Sequence, residues 1–195
     1  MYQIPNAELF SLNTKNNLIR KALHDELKGK RVIIFAIPGA FTPTCSNSQV
    51  PDFDEAYEEI KSLGIDEIYC LAVNDPFVMK AWWKQLKVQN LKYLCDGNAA
   101  FLARFEEVAG QNQAEQYYVK KFNKGLGRRA WRFAMIVDNT VVTHIWQEET
   151  SSSRDNCEED PYLETTPESV ISTLRNIQSV SASPTKVVED LSAPQ

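Results

Sequence analysis

The chain lacks the features that would make it a membrane protein, a nucleic-acid binder or a metalloprotein. No apolar run approaches the roughly 20 residues a membrane helix needs; the longest, Val32 to Ala36 with Ile37, reads as a buried strand. The net charge is −5, from 21 basic and 26 acidic residues, which argues against nucleic acid as the main partner. Only His24 and His144 are present, and the four cysteines (Cys45, Cys70, Cys95, Cys157) form no CxxC pair. A cysteine-rich zinc site, a histidine-based metal site and a disulfide scaffold are therefore poorly supplied, and no metal or organic cofactor is expected. The N-terminal stretch has no basic start followed by an apolar segment, so no secretory signal is visible and a cytoplasmic location is the default. No internal repeat is evident.

What remains is a chain of 195 residues, 43% hydrophobic and 24% charged, an ordinary globular composition. One domain is expected, large enough to bury roughly 70% of its unfolded surface without staples.

The hydrophobic pattern predicts alternating strands and helices. Residues 16–27 place Leu18, Ile19, Ala22, Leu23 and Leu27 near helical spacing, and Gly29 stops the run. Residues 31–37 are β-branched and apolar on both faces, as in a central strand covered on both sides. Helical pattern follows Cys45 through Leu63, with Pro51 as a kink or fresh start. A second buried strand is expected over 67–73, a helix over 76–86, a short strand over 91–94 and a helix over 99–108. Residues 131–137 and 141–146 read as strands joined by a tight hairpin at Asp138-Asn139-Thr140. A closing helix is expected over 167–177, and residues 179–195 read as a flexible tail. The fold class is α/β with a mixed sheet.

The segment Pro38-Gly39-Ala40-Phe41-Thr42-Pro43-Thr44-Cys45 carries most of the chemical information. A strand delivers the chain to a loop with two prolines, and a helix starts at the cysteine. Unpaired backbone N–H groups at a helix start favour a thiolate, the reacting form of cysteine. Thr42 can set its hydroxyl beside the sulfur, and Pro38 offers no competing N–H. On these grounds alone, a buried structural cysteine remains an equal alternative.

PGAFTPTC, with its P-x-x-x-T-x-x-C spacing after an apolar strand, resembles the active-site motif of peroxiredoxins. PGAFTPTCS followed by VPDF resembles the type II (peroxiredoxin-five) subfamily, as do LAVNDPFVMKAWW, CDGNAAF and GRRAWRFAMIVDN in that order. The resemblance spans about residues 3–178, leaving 179–195 as a tail beyond a 1–178 domain. It implies a thioredoxin-like fold, a homodimer, and a thiol peroxidase that reduces hydrogen peroxide and alkyl hydroperoxides. Cys45 would be the peroxidatic cysteine, cycling through a sulfenic acid, with Thr42, Pro38 and Arg132 as its companions.

A fixed guanidinium would stabilise the thiolate and polarise the peroxide. Arg128 and Arg129 rival Arg132, since all lie in residues 116–133, an acid-free window with six positive residues. That window, interleaved with aromatics, is also the one stretch suggesting a nucleic-acid patch. Residues 148–164, with seven acids and one arginine, could neutralise it. Arg132 is favoured because it opens the strand running into FAMIV.

Resolution is left open. The resemblance offers Cys70 and Cys157 as candidate resolving cysteines, and glutathione, glutaredoxin or thioredoxin as external reductants. Cys70 sits mid-strand, where an inert core role is the simpler reading. Cys157 sits in a polar loop, and Cys95 reads as packing. A redox sensor or relay using the same thiolate is the alternative function. A Cys–His hydrolase would need a base beside Cys45, and nothing places either histidine there.

Overall fold

The computed structural model describes residues 1–113, 117–149 and 158–182. Its ten strands are β1 (Tyr2–Gln3), β2 (Glu8–Leu12), β3 (Leu18–Ala22), β4 (Arg31–Ala36), β5 (Glu67–Ala72), β6 (Lys92–Cys95), β7 (Tyr118–Lys121), β8 (Gly127–Ala130), β9 (Phe133–Asp138) and β10 (Val141–Gln147). The helices are α1 (Leu23–Leu27), α2 (Val50–Glu55), α3 (Tyr57–Ser62), α4 (Pro76–Leu86), α5 (Ala100–Gln113) and α6 (Pro167–Ala182), with a single π-helical turn over Cys45–Gln49 ahead of α2.

Eight strands form one sheet in the order β1-β10-β9-β4-β5-β6-β2-β3, and β7 pairs with β8 in a separate hairpin. β4, β5 and β6 are parallel; β9 runs antiparallel to β4. This is the mixed sheet expected from the sequence. β4 and β5 are apolar on both faces because both faces are covered. Ile34, Tyr69 and Leu71 face a core shared with α1 and α5, through Leu23, Leu27, Phe101 and Phe105. Ile33, Phe35, Cys70 and Ala72 face a second core shared with α2, α4 and α6, through Phe53, Trp82 and Leu174.

The parallel strands discharge three loops at one edge of the sheet. Asp75 caps α4 by accepting from the backbone N–H of Phe77 and Val78, at 2.8 and 3.1 Å. Asp96 does the same at α5 for Phe101 and Leu102, each at 3.0 Å. The third loop, from β4 to the turn ahead of α2, is the PGAFTPTC segment.

Residues 16–27 depart from the expected helix: Leu18–Ala22 is β3, paired antiparallel with β2, and only Leu23–Leu27 is helical. Local chemistry decides this. The Asn13 side chain accepts from the N–H groups of Lys15 and Asn17, both at 2.9 Å, closing a turn. Asn16 takes a left-handed φ of 62°, which asparagine tolerates. Leu18 then lies largely exposed, while Leu23 and Leu27 enter the core.

The hairpin at Asp138-Asn139-Thr140 forms as expected, with φ of 44° and 70° at Asn139 and Thr140. α6 extends through Ala182, four residues into the stretch read as a tail. Residues 183–195 and Cys157 lie outside the described residues. Among the described residues no helix is long and apolar enough to cross a membrane.

Candidate active site

β4 ends at Ala36, and Ile37 donates its N–H to Leu71 O at 3.0 Å, so the chain leaves the sheet only at Pro38. Pro38 and Gly39 are buried, and Phe41 turns the loop with a left-handed φ of 64°. The helical turn begins at Pro43 rather than at the cysteine, and Cys45 opens its π-helical part, its carbonyl accepting from Val50 N. The extra residue per turn is a local distortion of the kind often found at functional sites.

Cys45 is fully buried. The Nη1 of Arg132 stands 3.5 Å from its sulfur and also donates to the Oε1 of Gln49, one turn further on. The Nη2 of Arg132 pairs with Asp160, and its Nε donates to Pro161 O at 2.8 Å. Tyr162 lies beneath the guanidinium, its ring centre 5.8 Å away. Burial opposes the charge of this arginine, which is 1% exposed, but Cys45 and Asp160 more than offset that effect and raise its pKa. All three guanidinium nitrogens are therefore engaged, and Nη1 is aimed at the sulfur.

The segment bearing Asp160, Pro161 and Tyr162 is itself latched. Glu148, buried just after β10, accepts at Oε1 from the N–H groups of Leu163, Glu164 and Thr165 and from the Thr165 hydroxyl, each at 2.9 Å. The indole N–H of Trp131 donates to Glu148 O at 2.6 Å. Upstream, Lys124 pairs with Glu158 at 2.6 Å and Lys121 Nζ reaches Glu159 O at 3.4 Å. The β7–β8 hairpin and the acidic stretch thus lie against each other, and the basic window is in part neutralised as its sequence neighbours suggested.

Thr42 sits at the mouth of the loop, its hydroxyl donating to Gly39 O at 2.8 Å, which leaves its lone pairs to accept from an incoming group. The Asn74 side chain accepts from Ala40 N at 2.9 Å and from Arg129 Nη1 at 3.4 Å. Arg129 also donates from Nε to Leu126 O at 2.8 Å. Of the three rival arginines, Arg132 meets the sulfur, while Arg129 braces the start of the loop through Asn74. Trp82 Nε1 donates to Ser46 Oγ at 3.1 Å, tying the first turn to α4.

Cys70 and Cys95 lie in the same apolar core as Cys45, all three as free thiols. Burial, reinforced by the Cys45 and Cys95 sulfurs, pushes the Cys70 thiol well above its ordinary range. Burial and then Asp75 push Cys95 up to about 12. Both are poor nucleophiles where they stand. His24 is spent elsewhere: its Nε2 donates to Ile4 O at 2.6 Å. Among the described residues no cluster of histidine, cysteine and carboxylate groups could hold a metal ion.

Gln49, Asn74, Glu148 and Asp160 were not singled out as site residues from sequence, and Arg129 was named only as a rival of Arg132. Only Gln49 had a local signal, as a polar residue one turn after Cys45 in an otherwise apolar helix face.

The redoxin family profile matches residues 3–160. The chain is 42% identical over 155 residues to peroxiredoxin y4vD of Sinorhizobium fredii, covering 80% of this chain and 76% of that one. It is 41% identical over 141 residues to peroxiredoxin-2D of Arabidopsis thaliana, covering 72% and 81%. Among solved structures, reduced Prx3 of Vibrio vulnificus in complex with hydrogen peroxide matches with a TM-score of 0.73 and 31% identity, over 88% of this chain and 96% of that one. A 1-Cys peroxiredoxin, the antioxidant protein of Plasmodium falciparum, matches with a TM-score of 0.76 and 32% identity, over 89% and 96%.

Proposed function

Since the chain belongs to the peroxiredoxin family, fits its type II subfamily and is a thiol peroxidase, we propose that Cys45 is its peroxidatic nucleophile and Arg132 the group that activates both partners. The observation that carries this reading is the 3.5 Å approach of Arg132 Nη1 to Cys45 Sγ, from a buried guanidinium held by Gln49, Asp160 and Pro161 O.

In the reaction the Cys45 thiolate attacks one oxygen of a peroxide. An S–O bond forms as the O–O bond breaks, and the leaving oxygen takes a proton to depart as water or an alcohol. The product is a sulfenic acid on Cys45. Negative charge develops on the departing oxygen, and Arg132 is oriented beforehand to meet it. Thr42, with lone pairs turned outward, accepts from the peroxide hydroxyl and aligns it with the sulfur. Pro38 keeps a backbone donor out of the pocket wall. A thiol then attacks the sulfenic sulfur, releasing water and forming a disulfide that a second thiol reduces.

We assign that thiol to glutathione, with glutaredoxin, in preference to a cysteine of the chain. The burial of Cys70 in a parallel ladder between β4 and β6 supports this, because reaching Cys45 would require displacing a central strand. The deciding experiment compares steady-state peroxide consumption with glutathione–glutaredoxin and with thioredoxin as reductants. Turnover with thioredoxin alone, lost in Cys157→Ser, would replace this reading by a two-cysteine one.

A homodimer in the cytoplasm completes the proposal. Phe41, 49% exposed beside Trp82, and Phe77, 57% exposed at the start of α4, supply apolar surface near the site. Sedimentation of the reduced and oxidised chain tests the dimer, and cell fractionation tests the location.

A further inference from the structure

A cleft of about 250 Å3 opens on the sheet at the seam between β2 and β6, and shares no lining residue with the Cys45 site. The two strands pair through one residue pair, Phe10 with Cys95. The cleft beside this pair is lined by Leu9 and Leu94, which belong to the first core, and by Phe10 and Tyr93.

The floor is aliphatic, with Leu9, Leu23 and Leu94 buried. The rim is polar and unbalanced. Ser11 Oγ is buried in the wall and has no hydrogen-bond partner. Lys21 and Lys92 stand at the rim with half-exposed side chains, against one lining carboxylate, Glu26. Glu26 is already shared among the Tyr69 hydroxyl at 2.8 Å, Lys21 at 3.2 Å and Lys30 at 3.8 Å. Lys92 pairs with Glu67 at 2.5 Å. Two lysines, Lys21 and Lys30, therefore meet one Glu26 charge, and a positive surplus remains beside an unsatisfied hydroxyl.

We propose that this cleft binds a medium-chain aliphatic carboxylate. The tail would lie on the Leu9–Leu23–Leu94 floor, where apolar burial drives association. The carboxylate would accept from Ser11 Oγ and Lys21 Nζ, giving the buried hydroxyl its missing partner. The cavity is smaller than the roughly 300–1,000 Å3 of drug-sized sites, which selects a short chain over a long-chain lipid. Occupancy has a route to the active-site helix. Tyr93 meets Trp83 edge-on at 5.2 Å, Trp83 meets Trp82 at 5.4 Å, and Trp82 bonds Ser46 beside Cys45.

The test is an amide-resolved NMR titration of the full chain with octanoate, and with octanol as the neutral control. Saturable shifts are expected at Ser11, Lys21, Tyr93 and Leu94. Octanoate should bind Lys21→Gln about fivefold more weakly than the parent, with octanol unchanged, since only the carboxylate loses a charged partner. The spectrum of each variant reports its fold directly. Absence of saturable shifts, shifts centred on Cys45 and Arg132, or equal octanoate binding by parent and Lys21→Gln would each overturn the proposal.

Discussion

Arg129 occupies the space that a side chain on Gly39 would need: an ideal Cβ there would lie 2.9 Å from Arg129 Nη1. That contact closes a brace in which Arg129 holds Asn74 and Asn74 holds the N–H of Ala40. The brace holds the start of the Cys45 loop, at Gly39 and Ala40, and the Arg132 cluster holds its end, at Cys45 and Gln49. Gly39→Ala should cost little stability, under about 1 kcal/mol, because the end of a flexible side chain can retreat. It should nevertheless slow the reaction of Cys45 with peroxide by about tenfold, as the loop loses its anchor. In an Arg129→Ala background, Gly39→Ala should add nothing further. Stopped-flow peroxide kinetics on the parent, the two single variants and the double variant checks this; strictly additive losses would show that the two residues act separately.

Arg132→Lys should slow single-turnover peroxide reaction by roughly 10²-fold. An ammonium cannot reach Cys45, Gln49, Asp160 and Pro161 O at once as the planar fork does. Arg128→Lys should leave the rate unchanged. The reverse pattern would transfer the assignment to Arg128.

Asp160→Asn and Asp160→Ala should move Cys45 reactivity in opposite directions. Asparagine keeps an acceptor for Nη2 and removes a negative charge, so more of the arginine's field reaches the sulfur, and alkylation near pH 6 should quicken. Alanine frees the guanidinium, and alkylation should slow, with a stability loss of about 1–2 kcal/mol, since Asp160 is a third exposed. Both variants moving the same way would show that Asp160 does not position Arg132.

Glu148→Ala should be the costlier change, about 2–4 kcal/mol, because it strands three backbone N–H groups and a hydroxyl on one segment. Peroxide reactivity should fall with it, although Glu148 does not touch the sulfur. Denaturant midpoints and initial rates measured together check both halves.

Stability should decline on the alkaline side. Burial holds the Cys95 thiol and the Tyr57 phenol up at about 12, and Cys70 well above its ordinary range. The unfolded chain releases these protons earlier, its thiols near about 8.5. Their contribution is therefore whole below about pH 8.5 and is lost as pH rises toward 12. Cys95→Ala should make the fall between about pH 9 and 11 shallower. A slope equal to that of the parent would exclude Cys95 as a source.

The sequence revealed what is local and missed what is distant. Cys45, Thr42 and Pro38 belong to one segment, and although the strand expected over 131–137 starts only at Phe133, Arg132 stands directly before its unmistakable apolar run, so their places could be read from the sequence. Asp160 and Gln49 meet Arg132 across 28 and 83 residues of chain, and no pattern in the acidic stretch or the helix announces that meeting. The misread helix over 16–27 has a different cause. Its apolar spacing fits a helix, but the Asn13 turn places half of those residues on an edge hairpin before the spacing can act.

The two outermost strands have a bearing on concentrated solutions. β1 is two residues long, and β3 carries Arg20 and Lys21 among its five. A neighbouring molecule seeking to extend the sheet would find either too little ladder or a run of positive charge. End-to-end polymerisation through the sheet is thereby discouraged, and the ordered edges do not template aggregates.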